Sequence, residues 1–120
     1  MINLKRLPGA TEQEVFDQLV RHLLTQNQRS ADETGGVCLY RNGALMCAAG
    51  CLISADEYSA EIESESWSQL IKTNQVPDAH SGLINRLQAT HDWVPINCWR
   101  DELLDIAEAF DLSTDVFVGL

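Results

Sequence analysis

Val37-Cys38-Leu39-Tyr40-Arg41-Asn42-Gly43-Ala44-Leu45-Met46-Cys47 is the stretch that decides the fold class of this chain. Asn-Gly between two short apolar runs is the strongest short-range hairpin signal, because a type I′ turn demands positive φ at both central residues. With Asn42 and Gly43 as a two-residue loop, Arg41 faces Ala44, Tyr40 faces Leu45, Leu39 faces Met46 and Cys38 faces Cys47. Alternation away from the turn makes Cys38 and Cys47 a non-hydrogen-bonded pair, with Cα atoms about 4.5 Å apart. Two strands alone are marginal in water, so the hairpin must lie against helices.

Helical periodicity surrounds it on both sides. Upstream, Thr11 and Glu14 have capping-box spacing, and Val15, Phe16, Leu19, Val20, Leu23 and Leu24 follow on one stripe. Downstream, Ser54 with Glu57 predicts a short helix over 55–62, and Ser66 with Gln69 predicts another start carrying Trp67, Leu70 and Ile71. A helix over 79–92 aligns Leu83, Ile84, Leu87 and His91. After Pro95, a helix over 96–111 carries Ile96, Trp99, Leu103, Ile106 and Phe110 at alternating spacings of three and four, and Ser113-Thr114-Asp115 caps a last turn. The expected fold is α+β: one mostly helical domain over residues 1–120 with one small antiparallel β-hairpin.

The chain has 120 residues, 18 acids and 8 bases, for a net charge of −10. That length can bury a real core. No apolar run approaches the ~20 residues needed to span a bilayer. The start, Met1-Ile2-Asn3-Leu4-Lys5-Arg6, has no apolar stretch behind its basic pair, so a cytoplasmic protein is expected. The acidic excess argues against direct binding to nucleic acid or anionic lipid, which demand positive surface. Residues 32–71 hold seven acids and one base, residues 101–120 hold six acids and no base, and the remaining segments are nearly neutral. Glu61, Glu63 and Glu65 sit in the first block. Asp101, Asp105 and Glu108 form a helical stripe in the second, where Glu108 and Asp111 oppose the helix macrodipole.

The run C-L-Y-R-N-G-A-L-M-C-A-A-G-C-L-I-S-A-D-E-Y at 38–58 resembles a hairpin motif of small bacterial, phage and prophage proteins, of the form C-x-Y-R, a Gly turn, then C-A-x-G-x-L-I. The resemblance continues through residues 21–26, Leu87-Gln88, His91-Asp92 and residues 112–114. It implies a phage- or prophage-linked accessory setting and carries over no activity.

Cys38, Cys47 and Cys51 are the sharpest cluster of reactive side chains, with His91, His80 or Cys98 available as a fourth. Zinc takes four such ligands, but the spacing C-x8-C-x3-C matches no common zinc signature, and buried core thiols are the competing reading. A cysteine nucleophile, Cys47 or Cys51, would need His91 as base and Asp92 to orient it. His91-Asp92 also resembles the dipeptide of metal-dependent phosphohydrolases, with His80 and Asp101 or Asp105 as nominees. A small-ligand pocket between hairpin and helices would use Tyr40, Trp67 and Trp99. The leading expectation is a non-enzymatic acidic interaction protein that binds and modulates a basic host protein through Glu61, Glu63, Glu65, Asp101, Asp105 and Glu108, with no catalytic residue and no cofactor. The alternative is a small zinc-binding or cysteine-based enzyme centred on Cys38, Cys47, Cys51 and His91.

Overall fold

Thr11 starts the longest helix, α1 (Glu12–Gln26), through the expected reciprocal cap. The Glu14 N–H donates to Thr11 Oγ1 at 3.1 Å and the Thr11 N–H donates to Glu14 Oε1 at 2.8 Å. A computed structural model describes residues 1–120, and 51% of them are helical. After α1 come two short strands, β1 (Arg41–Asn42) and β2 (Leu45–Met46). Three further helices follow, α2 (Trp67–Lys72), α3 (Ser81–Trp93) and α4 (Trp99–Ala109). The architecture is therefore α+β with one antiparallel two-stranded sheet. No helix is long and apolar enough to cross a membrane.

One core cluster of 25 buried residues draws on all four helices and on Tyr40 and Cys47 beside the hairpin. α1 supplies Val15, Phe16, Leu19, Val20 and Leu23, whose burial is worth ~1.5–3 kcal/mol each before chain entropy is counted. Leu83, Ile84 and Leu87 of α3 and Trp99, Leu103 and Ile106 of α4 meet them from the other side. The polar flank of α1 is equally committed. Gln13, Gln18 and Gln26 each bind both backbone groups of one distant residue, Ser113, Ile2 and Met46 respectively, at 2.7–3.1 Å. Three side-chain amides thus stand in for strand partners and tie the C-terminal tail, the N-terminal segment and β2 to one helix.

The hairpin differs from the expected one in register. Arg41 pairs with Met46 and Asn42 with Leu45, so the loop is Gly43-Ala44 rather than Asn42-Gly43. Gly43 has φ +61° at the first loop position, as a type II′ turn requires, while Asn42 is released to donate Nδ2 to the Ala31 carbonyl at 2.6 Å. The shift of two residues keeps each side chain on its face but separates Cys38 from Cys47. Cys38 instead forms an isolated antiparallel bridge with Ala31.

Two helix boundaries are corrected as well. The helix expected over 55–62 is a turn followed by a short 3₁₀ segment, Ala60–Ile62. Glu57 accepts the Ser54 N–H at 3.0 Å, but its carboxylate also takes the N–H groups of Leu4 at 3.0 Å and Lys5 at 3.1 Å. It is a clamp on the N-terminal segment, not a helix cap. The helix expected over 96–111 begins as a 3₁₀ turn, Ile96–Cys98, and its α-helical part ends at Ala109.

Candidate functional site

The C-terminal half of α3 turns a polar face toward the hairpin. Gln88 and Asp92, one turn apart, are joined by Gln88 Nε2 donating to Asp92 Oδ1 at 2.8 Å. The other end of the Gln88 amide accepts the Ala49 N–H at 2.8 Å, which holds the turn after β2 against α3. His91 is fully buried. Its Nε2 accepts the backbone N–H of Ser30 at 3.0 Å, so the ring proton sits on Nδ1, which donates to Asp92 Oδ1 at 2.7 Å. The open carbonyls at the end of α3 are also covered: Arg29 donates to His91 O and Val94 O, and the Trp99 indole donates to Val94 O at 2.9 Å.

These contacts deliver Cys38 to the same place. The Leu39 N–H donates to Ser30 O at 2.9 Å, and the Ala31–Cys38 bridge lays that segment alongside the residues anchored on His91. Ligand atoms of Cys38, His91 and Asp92 then lie within 4.8 Å of one another. Burial pushes the Cys38 thiol up to about 11, and the neighbouring Asp92 carboxylate adds to the shift by repulsion and by accepting a hydrogen bond from the S–H. Burial raises Cys47 strongly, and it raises Cys51 to about 12.

The zinc set Cys38, Cys47, Cys51 and His91 is not brought together, since Cys47 and Cys51 lie outside the cluster. Within it, His91 has no lone pair to offer, because Nε2 already accepts from Ser30 and Nδ1 carries the proton given to Asp92. The same bonding removes His91 as a base for a cysteine nucleophile, and all three of these thiols are held protonated. His80 is committed to the Ala10 carbonyl at 2.8 Å and joins neither Asp101 nor Asp105 in a ligand cluster. The chemistry available to Cys38, His91 and Asp92 is hydrogen bonding around one carboxylate.

A cavity of about 330 Å³ opens beside that carboxylate, lined among others by Tyr40, Glu65, Trp67, Gln88, Asp92 and Trp93. Tyr40 and Trp67 are the aromatics expected there, but Trp99 is fully buried against His91, with ring centroids 5.8 Å apart. Its place is taken by Trp93, which is 82% exposed. Trp93 is missed by the sequence pattern because it falls on the last residue of α3, off the apolar stripe. Its position directly after His91-Asp92 was the available signal. Trp67 is buried, and its indole N–H has no acceptor within the protein.

The acidic residues fall into two kinds. Glu63 spends both carboxylate oxygens internally: Oε1 accepts the Tyr40 N–H at 2.9 Å, and Oε2 accepts the Arg41 N–H at 3.2 Å and the Tyr58 hydroxyl at 2.6 Å. That hydroxyl is pushed up to about 12, chiefly by its hydrogen bond to Glu63. Glu65 is half-buried on the cavity wall, and its backbone carbonyl accepts the Tyr40 hydroxyl at 2.6 Å. Glu61 is exposed. Asp101, Asp105 and Glu108 are all exposed on α4, and none makes a side-chain hydrogen bond or ion pair. The one ion pair on α4 joins its Glu102 to Arg86 of α3 at 3.2 Å.

Three of the cations lie away from this stripe. Lys5, Arg6 and Arg21, none of them ion-paired, line an open groove of about 1280 Å³ between the N-terminal segment, α1 and β2. The chain matches no protein-family model, no curated protein and no solved structure.

Proposed function

We propose that this chain is a non-enzymatic, acidic binding protein, acting in the cytoplasm in a phage- or prophage-linked setting, that docks on a basic host protein and modulates it. The observation that carries the reading is the α4 stripe: Asp101, Asp105 and Glu108 share one helix face, exposed and without an ion-paired base. Three aligned carboxylates cost stability through mutual repulsion, and Glu108 also opposes the helix dipole by a few tenths of a kcal/mol or more. Solubility alone would be served as well by interspersed charge of both signs. A surface that steers onto a cationic partner accounts for the placement. Glu61 extends the negative surface from the first block, Glu65 contributes from the cavity wall, and Glu63 acts mainly as an internal brace.

The test is charge reversal. Asp101→Lys, Asp105→Lys and Glu108→Lys together should abolish capture of the partner from host lysate, and capture by the unaltered chain should weaken as salt rises through the physiological range. Capture that is indifferent to both changes would remove the reading.

A further inference from the structure

The cavity beneath the hairpin combines three features that the α4 stripe does not use. First, its charge has one sign. Asp92 and Glu65 line it, and no lysine, arginine or histidine does. Asp92 makes no ion pair with any lysine or arginine, and the imidazole that donates to it is the neutral Nδ1–H form. Its carboxylate is therefore held in place by His91 and Gln88 with no lysine or arginine paired to it. Second, the walls are aromatic: Tyr40 and Trp67 are fixed in the core, with ring centroids 6.4 Å apart, and Trp93 stands almost free at the rim. An indole face is the best natural partner for an organic cation. Third, the volume of about 330 Å³ sits at the small end of ligand cavities, enough for one side chain and far too little for a folded element.

We propose that this cavity receives a single lysine side chain of the basic partner, its ammonium group beside Asp92 and its alkyl stem against Trp93 and Trp67. Lysine fits better than arginine. The His91 and Gln88 donors both occupy Asp92 Oδ1, which leaves the carboxylate poorly disposed to a bidentate guanidinium and well disposed to a compact point charge. The partner's class follows from the reading of the chain as a binder of basic proteins, whereas the cavity's preference for a cation does not depend on it.

The test is an NMR titration of the 15N-labelled full chain, following the indole N–H signals, with a lysine peptide blocked at both ends, its norleucine counterpart, its arginine counterpart and n-butylammonium. The lysine peptide should shift the Trp93 signal saturably, and the norleucine and arginine peptides should bind at least tenfold more weakly. Trp93→Ala, a surface change that leaves the fold intact, should weaken the lysine peptide at least tenfold as read at Trp67. Asp92→Asn, which keeps an acceptor for His91, should do the same.

Absence of a saturable shift would overturn the proposal, as would equal binding by the norleucine peptide or by the Trp93→Ala chain. Butylammonium binding as tightly as the lysine peptide would reassign the cavity to a free amine and overturn the protein source. The two readings fail separately. Reversal of the α4 stripe should leave peptide binding unchanged. Partner capture that is lost on stripe reversal but kept in Trp93→Ala would sustain the stripe and dismiss the cavity.

Discussion

His91 Nε2 accepts the backbone N–H of Ser30 across 61 residues of chain, and that one bond determines what the Cys38–His91–Asp92 cluster can be. It assigns the imidazole proton to Nδ1, points it at Asp92 and leaves neither nitrogen for a metal or a proton transfer. The cluster is a fastening between α3 and the segment leading into the hairpin.

Replacing His91 should accordingly be a stability lesion. His91→Leu keeps most of the volume but strands the Ser30 N–H and takes a donor from Asp92, a loss of about 1–3 kcal/mol for each unmatched buried group. Thermal denaturation should show a fall of at least ~5 °C in Tm for a chain of this size. EDTA should leave the Tm of the unaltered chain where it is, because the stabilising bonds involve no metal. A chelator-dependent loss would reverse that assignment.

The thiols should react in an order set by burial. Cys98 is exposed, Cys38 is half-buried beside a carboxylate, and Cys47 and Cys51 are buried. With a thiol-specific disulfide reagent near pH 8, one group should react at once, Cys38 slowly, and the other two only on unfolding. Cys38→Ser should bind partner normally. Rapid modification of Cys38 at neutral pH would mean a thiolate the geometry does not support.

Gly50 is the least replaceable residue of the motif around the hairpin. A Cβ there would lie 2.2 Å from the Tyr40 carbonyl oxygen and 3.3 Å from Cys47 Sγ. The first contact is with backbone that is itself pinned, since the Tyr40 N–H is held by Glu63. Gly50→Ala should cost more than ~3 kcal/mol, among the larger single-residue effects, and lower soluble yield. Gly82→Ala, where nothing lies within 4 Å of the added carbon, is the control and should be neutral or slightly stabilising.

What was legible in the sequence was whatever is decided within one or two turns of chain. The caps at Thr11–Glu14 and Ser66–Gln69 both form, because each box closes on its own backbone. Ser54–Glu57 has the same spacing and makes no α-helix, since the Glu57 carboxylate also serves N–H groups more than fifty residues away. The hairpin was readable but its register was not: the observed pairing goes with Asn42 Nδ2 bound to the Ala31 carbonyl and Met46 held by Gln26, contacts no local pattern contains. The same limit applies to the site. His91 on an apolar stripe favours a hydrogen-bonded core histidine over a ligand, but its partner, the Ser30 N–H, lies 61 residues away and is not readable from the sequence. Trp93 lies one residue past the helix expected over 79–92, and only the cavity beside Asp92 marks it out.

The last expectation concerns pH and rests on His22. The ring is half-buried, and its Nε2–H donates to the Met46 carbonyl at 2.9 Å, which helps fasten β2 to α1. Burial holds its pKa below the ordinary value of 6.5 and His91 adds to that, while the Met46 carbonyl pulls the other way. The unfolded chain, titrating near 6.5, therefore binds a proton more readily than the folded one. His22 thus contributes its full share of stability above 6.5, and that share is lost progressively as pH falls below this value toward the lower folded pKa. Glu57 acts in a lower window. Burial raises its carboxyl, but the N–H groups of Ser54, Leu4 and Lys5 outweigh that and hold it below 4.5, so its contribution fades only in more acidic solution. Chemical denaturation should find stability declining as pH falls below about 6.5. His22→Gln, which keeps a donor for Met46 but does not titrate, should flatten the decline. An undiminished slope in that variant would place the sensitive group elsewhere.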